Sequence, residues 1–227
     1  MAVLIDPDKT DYLAELVTII NQTPVDFVLV GGSKLTKNNF SECVLYLKTN
    51  LTIPVIIFPG GYEQIDRIAD AILLPSVLSG RNADYLIGIQ TIMAPKIAEA
   101  KLEVISTGYL LIDGRKNSST LQVTQTKPIA EDDYNTACDT ALAGEMLGMK
   151  LIYLEAGSGA EQTVNSMMIE KVKSKVSIPL LVGGGINSPE KAIRAIEAGA
   201  DVIVVGNALE VNPGVLRNIC NAIKKSN

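Results

Sequence analysis

The 227-residue sequence contains no histidine and no tryptophan, and only 4% of its residues are aromatic. Histidine is the side chain that most often moves protons near neutral pH, and it is also a common zinc ligand. Any acid–base chemistry must therefore come from carboxylates, lysines or tyrosines. Any bound metal is expected to be a hard cation held by oxygen atoms, such as magnesium.

The chain also lacks an excess of basic residues and a long apolar run. Its net charge of −5 argues against a nucleic-acid partner and against tight docking on an anionic membrane, because both require a dense basic surface. No apolar stretch is long enough to span a bilayer, and no basic segment precedes the first apolar run. We therefore expect no transmembrane segment, no signal peptide and at most peripheral membrane contact.

Cysteine is scarce as well. Cys43, Cys138 and Cys220 are odd in number and lie far apart in the chain. This distribution does not suit a disulfide framework, but it suits reduced and buried thiols in a cytoplasmic protein.

Apolar residues, in contrast, make up 47% of the chain, which predicts one domain spanning residues 1–227 around a large core. Short β-branched runs alternate with stretches of helical spacing, so we predict an α/β fold with a parallel sheet. The predicted strands span residues 2–5, 27–30, 55–58, 71–74, 103–111, 151–155, 180–183 and 202–205. The predicted helices span residues 11–22, 38–47, 85–100, 129–147, 163–176 and 213–225, and one more begins at Pro189.

Two segments depart from this alternation. Residues 59–70, between the third and fourth predicted strands, leave room for a single helical turn at most, so the third helix should be shortened or missing. Residues 113–127 are polar and rich in serine, threonine and asparagine. We expect this second segment to form a mobile loop.

Glycine-rich turns end the last two predicted strands, at Gly183-Gly184-Gly185 and at Gly206-Asn207. Backbone N–H groups in such turns bind anions, and paired turns at the end of a β/α chain are typical of the phosphate site of a (β/α)8 barrel. No Gly-x-Gly-x-x-Gly follows the first strand, which disfavours an open dinucleotide-binding sheet. We therefore predict a closed (β/α)8 TIM barrel with a phosphorylated small-molecule substrate.

Three polar side chains stand where predicted strands end, at the edge of a barrel that carries function. Asp6 is a candidate magnesium ligand, although an aspartate before a proline is also common in turns. Ser33 suits a metal ligand, a phosphate donor or a helix N-cap. Glu155 closes an apolar strand, where burial would raise its pKa and make it a better base, unless a lysine pairs with it.

Six motifs, taken together and in order, resemble the geranylgeranylglyceryl phosphate synthases and the related bacterial heptaprenylglyceryl phosphate synthases. The resemblance covers nearly the whole chain, and the family is described as a modified barrel in which the third helix is replaced. The motifs are Ile5-Asp6-Pro7-Asp8-Lys9, Gly31-Gly32-Ser33, Leu74-Pro75-Ser76-Val77-Leu78-Ser79, Tyr153-Leu154-Glu155-Ala156-Gly157-Ser158-Gly159-Ala160, Gly183-Gly184-Gly185-Ile186 and Val205-Gly206-Asn207.

This resemblance implies transfer of a long isoprenyl group, geranylgeranyl by expectation, from its diphosphate to the C3 hydroxyl of sn-glycerol 1-phosphate. The products would be an ether-lipid precursor and diphosphate. The resemblance also implies that Asp6 and Ser33 hold Mg²⁺, that Glu155 deprotonates the hydroxyl, and that the protein is a homo-oligomer. The implied substrate-binding residues are Tyr153, Leu154, Glu155, Ala156, Gly157, Ser158, Gly159, Gly184, Gly185, Gly206 and Asn207.

One position departs from the family pattern. Many members carry a lysine two residues before the metal-binding aspartate, where this chain has Leu4. We expect Lys9 to supply the positive charge near glycerol phosphate instead. Tyr85 and Tyr109 are candidates for the residues that line the prenyl groove, although tyrosine rings also fill barrel rims as ordinary core.

Other readings of the same glycine-rich turns are open at this stage. A sugar-phosphate isomerase, an aldolase-like lyase or a flavin enzyme would share them. No predicted strand contains the lysine that a Schiff-base aldolase requires. A non-catalytic phosphate-ligand binder would also use such turns, but this alternative does not explain the carboxylate of Glu155.

Overall fold

Eight parallel strands close into a barrel in chain order in the computed structural model, which describes residues 1–115 and 119–226. The first strand pairs with the last, Ala2 opposite Val204, so the sheet has no open edge. This confirms the predicted (β/α)8 architecture. The strands are β1 Ala2–Ile5, β2 Phe27–Val30, β3 Val55–Ile57, β4 Ala71–Val77, β5 Glu103–Leu111, β6 Leu151–Glu155, β7 Leu180–Gly183 and β8 Val202–Val205.

Helices surround this barrel, and none of those in the described ranges is long and apolar enough to cross a membrane. A π-helical turn, Asp84–Gly88, leads directly into the third helix. The helices are α1 Leu13–Ile20, α2 Phe40–Asn50, α3 Ile89–Ala100, α4 Ser119–Thr124, α5 Tyr134–Met146, α6 Ser166–Lys173, α7 Pro189–Glu197, α8 Asn207–Val211 and α9 Val215–Ser226.

The structure confirms the prediction for the first irregular segment, between β3 and β4, but not for the second, residues 113–127. Residues 58–70 contain turns and bends but no helix, so the expected loss of the helix between β3 and β4 is confirmed. The polar segment 113–127 was expected to be a loop throughout, which is wrong, because α4 forms within it. Leu121 of α4 packs against apolar side chains inside the barrel, and this contact is not visible in the polar composition. Residues 116–118 of that segment, and Asn227, lie outside the described residues.

The alternation of side chains along each strand separates two apolar layers. Along β6, Ile152 and Leu154 pack into the core between barrel and helices, whereas Tyr153 points into the barrel. Successive residues of a strand face opposite sides, so Glu155 points inward two residues after Tyr153. Strand register therefore decides which side chain of this motif reaches the barrel interior.

The outer layer gives a direct test of the fold. Leu110 of β5 is 0% exposed in the layer between barrel and helices, so Leu110→Ala should lower the free energy of unfolding by about 2–5 kcal/mol through lost contacts and a residual cavity. Leu147, 75% exposed at the end of α5, provides the control. Leu147→Ala should change stability by less than about 0.5 kcal/mol. Equal losses in urea denaturation would contradict the packing described here.

Candidate active site

A cavity of about 460 Å³ opens at the carboxyl ends of the strands, which is a usual size for a small-molecule site. Residues that follow five different strands line it. Asp6, Ser33, Glu155, Gly184 and Gly206 all contribute, from the ends of β1, β2, β6, β7 and β8. Barrel closure thus brings together side chains that are separated by up to 200 residues in sequence.

Three aromatic rings pack together inside the barrel beside this cavity. The ring centroid of Tyr153 lies 5.3 Å from that of Phe58 and 5.6 Å from that of Tyr109. The Tyr153 hydroxyl is buried close enough to Glu155 to lower the pKa of that carboxyl, but it is in hydrogen-bond geometry with no atom of the described residues. A buried hydroxyl without a partner is costly, so this group is available to a polar atom of a ligand.

Glu155 is a carboxylate that the protein buries with little compensation. It is 7% exposed, and its Oε1 accepts one hydrogen bond from the backbone N–H of Gly157 at 2.8 Å. Burial raises the pKa of Glu155, and the nearby Tyr153 hydroxyl and the Gly157 N–H oppose that rise only in part. No ion pair to Glu155 forms within residues 1–115 and 119–226, so none of the lysines in those ranges is its partner.

The glycines after β7 make room for this carboxylate. A Cβ at Gly184 would lie 2.4 Å from Glu155 Oε1, and the residue has a φ of +83° that favours glycine. A Cβ at Gly183 would lie 2.3 Å from the Tyr153 hydroxyl. The same glycines that were predicted to bind an anion therefore also accommodate the buried carboxylate, a packing role that sequence reasoning missed.

Asp6 follows β1 on the cavity wall, beside the loop after β2. Its Oδ1 accepts the N–H of Asp8 at 3.0 Å, so the expected turn does form, while Oδ2 lies 3.7 Å from Lys9 Nζ. Burial raises the pKa of Asp6, opposed by the Asp8 N–H and by the Lys9 ammonium. Ser33 is not a helix N-cap, because the next helix begins after Asn39.

These two residues fit a magnesium ion that is shared with a substrate. The described residues hold no group of three carboxylate or thiol side chains suited to a metal. Magnesium is usually held by one or two carboxylates while substrate phosphates and water complete its shell. One carboxylate and one hydroxyl on the cavity wall, Asp6 and Ser33, match that donor set.

A chain of polar contacts runs along the cavity rim from the loop after β1 through α8 to the loop after β6, and it includes a residue that sequence reasoning missed. Lys9 Nζ lies 2.7 Å from Glu210 Oε2, and the Asn207 side-chain amide donates to Glu210 Oε1 at 2.9 Å. The Ser158 hydroxyl in turn donates to Asn207 Oδ1 at 2.8 Å. Lys9 thus contacts α8, which follows β8, and its charge is paired with Glu210. No sequence motif marked Glu210, which meets Lys9 only because the barrel closes.

The structure brings most, but not all, of the predicted substrate-binding residues to the cavity. Leu154 is 0% exposed and packs in the outer core layer, so its side chain faces away from the site. Ala156 and Gly157 do not line the cavity either, and Gly157 instead supports Glu155. The predicted residues that line the cavity are Asp6, Lys9, Ser33, Tyr85, Tyr109, Tyr153, Glu155, Ser158, Gly159, Gly184, Gly185, Gly206 and Asn207.

Parallel strands in a closed ring, with a polar cavity at their carboxyl ends, define the class of barrel in which enzymes carry their active sites. Within that class the chain belongs to the PcrB family, whose sequence profile matches residues 1–226.

The sequences of known relatives align with nearly the whole chain. The geranylgeranylglyceryl phosphate synthase of Chitinophaga pinensis is 46% identical over 224 residues, which is 98% of this chain and 89% of the relative. The enzyme of the same name from Pyrococcus furiosus is 39% identical, with 92% and 83% covered. A crystal structure of (S)-3-O-geranylgeranylglyceryl phosphate synthase from Thermoplasma acidophilum, in complex with substrate sn-glycerol-1-phosphate, has a TM-score of 0.92 and 34% identity, with 99% and 92% covered.

The buried state of Glu155 predicts a pH dependence of stability. Its pKa is raised above the ordinary value of 4.5, so the folded protein binds this proton more tightly than the unfolded chain does. The free energy of unfolding therefore falls as pH rises from the ordinary pKa through the raised one. Glu155→Gln removes that loss.

Urea denaturation of wild type and Glu155→Gln at a series of pH values measures the effect. The variant should gain stability relative to wild type as pH increases across this interval and keep a constant difference below it. A difference between the two proteins that does not vary with pH would contradict the buried-carboxylate assignment.

Proposed function

We propose that this protein transfers an isoprenyl group from its diphosphate to the C3 hydroxyl of sn-glycerol 1-phosphate. The observation that carries the proposal is the buried Glu155, which faces a cavity between glycine-rich turns and an apolar wall. The names of the relatives, and the glycerol phosphate in the Thermoplasma acidophilum structure, support the same reaction.

Glycerol phosphate fits the side of the cavity formed by the β6, β7 and β8 loops. Backbone N–H groups at Gly185 and Gly206 suit its phosphate, since oriented backbone donors bind anions at such turns. The unpartnered Tyr153 hydroxyl suits a glycerol hydroxyl. Glu155, whose pKa is raised by burial, accepts the proton of the attacking hydroxyl as the new C–O bond forms.

The diphosphate fits the neighbouring part of the cavity rim, beside the loops after β1 and β2. Asp6 and Ser33 would hold Mg²⁺, which when bound neutralises the charge that collects on departing diphosphate. The allylic C–O bond breaks there, and the electron pair leaves with the diphosphate. Glu155 and Asp6 lie at the ends of different strands, β6 and β1, so different strand ends of the barrel provide the proposed base and the diphosphate site.

The prenyl chain fits the apolar wall between the two ends. Val77, Ile89 and Met93 line the cavity on the β4 and α3 side, and each buried methylene of a ligand contributes about 0.8 kcal/mol. Tyr85, in the π-helical turn, stands on this wall. Tyr109 is 5% exposed in the aromatic stack, so it suits the inner boundary of the site better than the chain-length limit.

We also propose that the protein is a homo-oligomer and that it is located in the cytoplasm. The three cysteines are buried and unbridged, as expected for reduced thiols. Light scattering of the purified protein measures the oligomeric state.

The reaction itself is tested with purified protein, radiolabelled sn-glycerol 1-phosphate, magnesium and prenyl diphosphates of several lengths. We expect an organic-soluble ether product and release of diphosphate, with the preferred chain length read from product size. Glu155→Gln should lower turnover by about 10²–10⁴-fold, the usual contribution of a general base, while binding of the prenyl diphosphate is retained.

Binding of both substrates without any product would contradict this proposal. That outcome would favour a non-catalytic phosphate-ligand binder. Unchanged turnover in Glu155→Gln would remove Glu155 from the role of base.

A further inference from the structure

Gln64 is a fully buried polar residue in the segment that replaces the helix between β3 and β4. Its side chain is 0% exposed. Its Oε1 accepts the N–H of Gly32 at 3.1 Å and the N–H of Gly60 at 3.3 Å. Its Nε2 donates to the carbonyl oxygen of Gly32 at 2.7 Å. One amide side chain thus binds the backbone of two different loops.

The contact with Gly32 constrains the chain on both sides of that residue. The Gly32 N–H belongs to the peptide that joins it to Gly31, and the Gly32 carbonyl belongs to the peptide that joins it to Ser33. Binding both groups orients both peptide planes, and this orientation sets the position of the Ser33 backbone. A buried donor or acceptor left without a partner costs about 1–3 kcal/mol, so the loop cannot rotate away cheaply.

The two loops are also in direct contact. A Cβ at Gly60 would lie 2.2 Å from the Gly32 carbonyl oxygen and 2.6 Å from the Cα of Ser33. On the other side, a Cβ at Gly32 would lie 3.1 Å from Asp6 Oδ1. Gly32 is therefore held between Gln64 and Asp6, and Ser33 follows it immediately.

We propose that Gln64 is a positioning residue for the diphosphate end of the site. By holding Gly32, it keeps the Ser33 hydroxyl at the distance from Asp6 at which both serve one substrate-bound cation. This inference rests on the proposed function in assigning Asp6 and Ser33 to the diphosphate. The glycerol phosphate end, at Gly184 and Gly206, makes no hydrogen bond with Gln64.

Gln64→Met tests the proposal, because methionine has a similar length but none of the hydrogen bonds. We expect the KM for prenyl diphosphate and the half-saturating magnesium concentration each to rise about tenfold, which corresponds to about 1.4 kcal/mol. The KM for sn-glycerol 1-phosphate should stay within about twofold. Amide hydrogen exchange at Gly32 and Ser33 in the ligand-free protein should accelerate.

Leu110→Ala is the matched control for general loss of stability, because Leu110 is a core residue outside the cavity. At a temperature where both variants are folded, it should leave both KM values and the Gly32 exchange rate unchanged. Asp6→Ala is the positive control for loss of the cation site. If Gln64→Met behaves like Leu110→Ala, with lower stability and unchanged KM values, the positioning role is overturned.

Gln64→Glu gives a second variant in case the methionine variant does not fold. Its carboxylate still accepts from the N–H groups of Gly32 and Gly60 but cannot donate to the Gly32 carbonyl. The increase in KM for prenyl diphosphate relative to wild type should therefore become smaller as pH falls and the carboxyl becomes protonated. A defect that is as large with the carboxyl protonated as with it ionised would contradict the assigned contact.

Calorimetry with magnesium and inorganic diphosphate separates this inference from the proposed function. Weaker binding by the Gln64 variants than by wild type supports positioning, even if wild type forms no prenyl product. Equal binding by wild type and variants overturns it, even if the prenyl transfer is demonstrated.

Discussion

The site depends on the burial of one carboxylate at the end of β6. Glu155 is 7% exposed and has a single backbone hydrogen bond, from Gly157, which does not replace the water that it loses on folding. Its proton affinity is raised for that reason. The Glu155 carboxylate also occupies the space that a side chain at position 184 would need. Its burial therefore explains both the raised pKa of the candidate base and the presence of glycine at position 184.

In the proposed reaction, different strand ends of the barrel serve the two substrates. The ends of β6, β7 and β8 bring Glu155 together with the glycine-rich turns proposed to bind glycerol phosphate. The loops after β1 and β2 carry Asp6 and Ser33, which are proposed to bind the diphosphate. Gln64 supports the loop after β2 from the segment without a helix, and the Lys9–Glu210 ion pair joins the loop after β1 to α8, which follows the neighbouring strand β8. The apolar wall between them excludes water from a reactive allylic group.

Strand positions and strand-end residues could be predicted from sequence because both depend on local patterns. The predicted bounds of β6, β7 and β8 agree with the structure, and alternation along β6 explains why Glu155 and Tyr153 share one face. The same alternation turns the Leu154 side chain outward, away from the cavity. The family resemblance had nevertheless implied that Leu154 binds substrate. Gln64 and Glu210 gave no signal, since their partners are distant in sequence. The helix α4 was missed because its stability comes from Leu121 contacting the barrel interior.

The central claim is that Glu155 is a buried and unusually basic carboxylate. NMR titration of the protein with ¹³C-labelled glutamate carboxyl groups measures it directly, and Glu155→Gln identifies the resonance by its loss. The account predicts that this resonance titrates above the ordinary pKa of 4.5. A titration midpoint at or below that value would contradict the account.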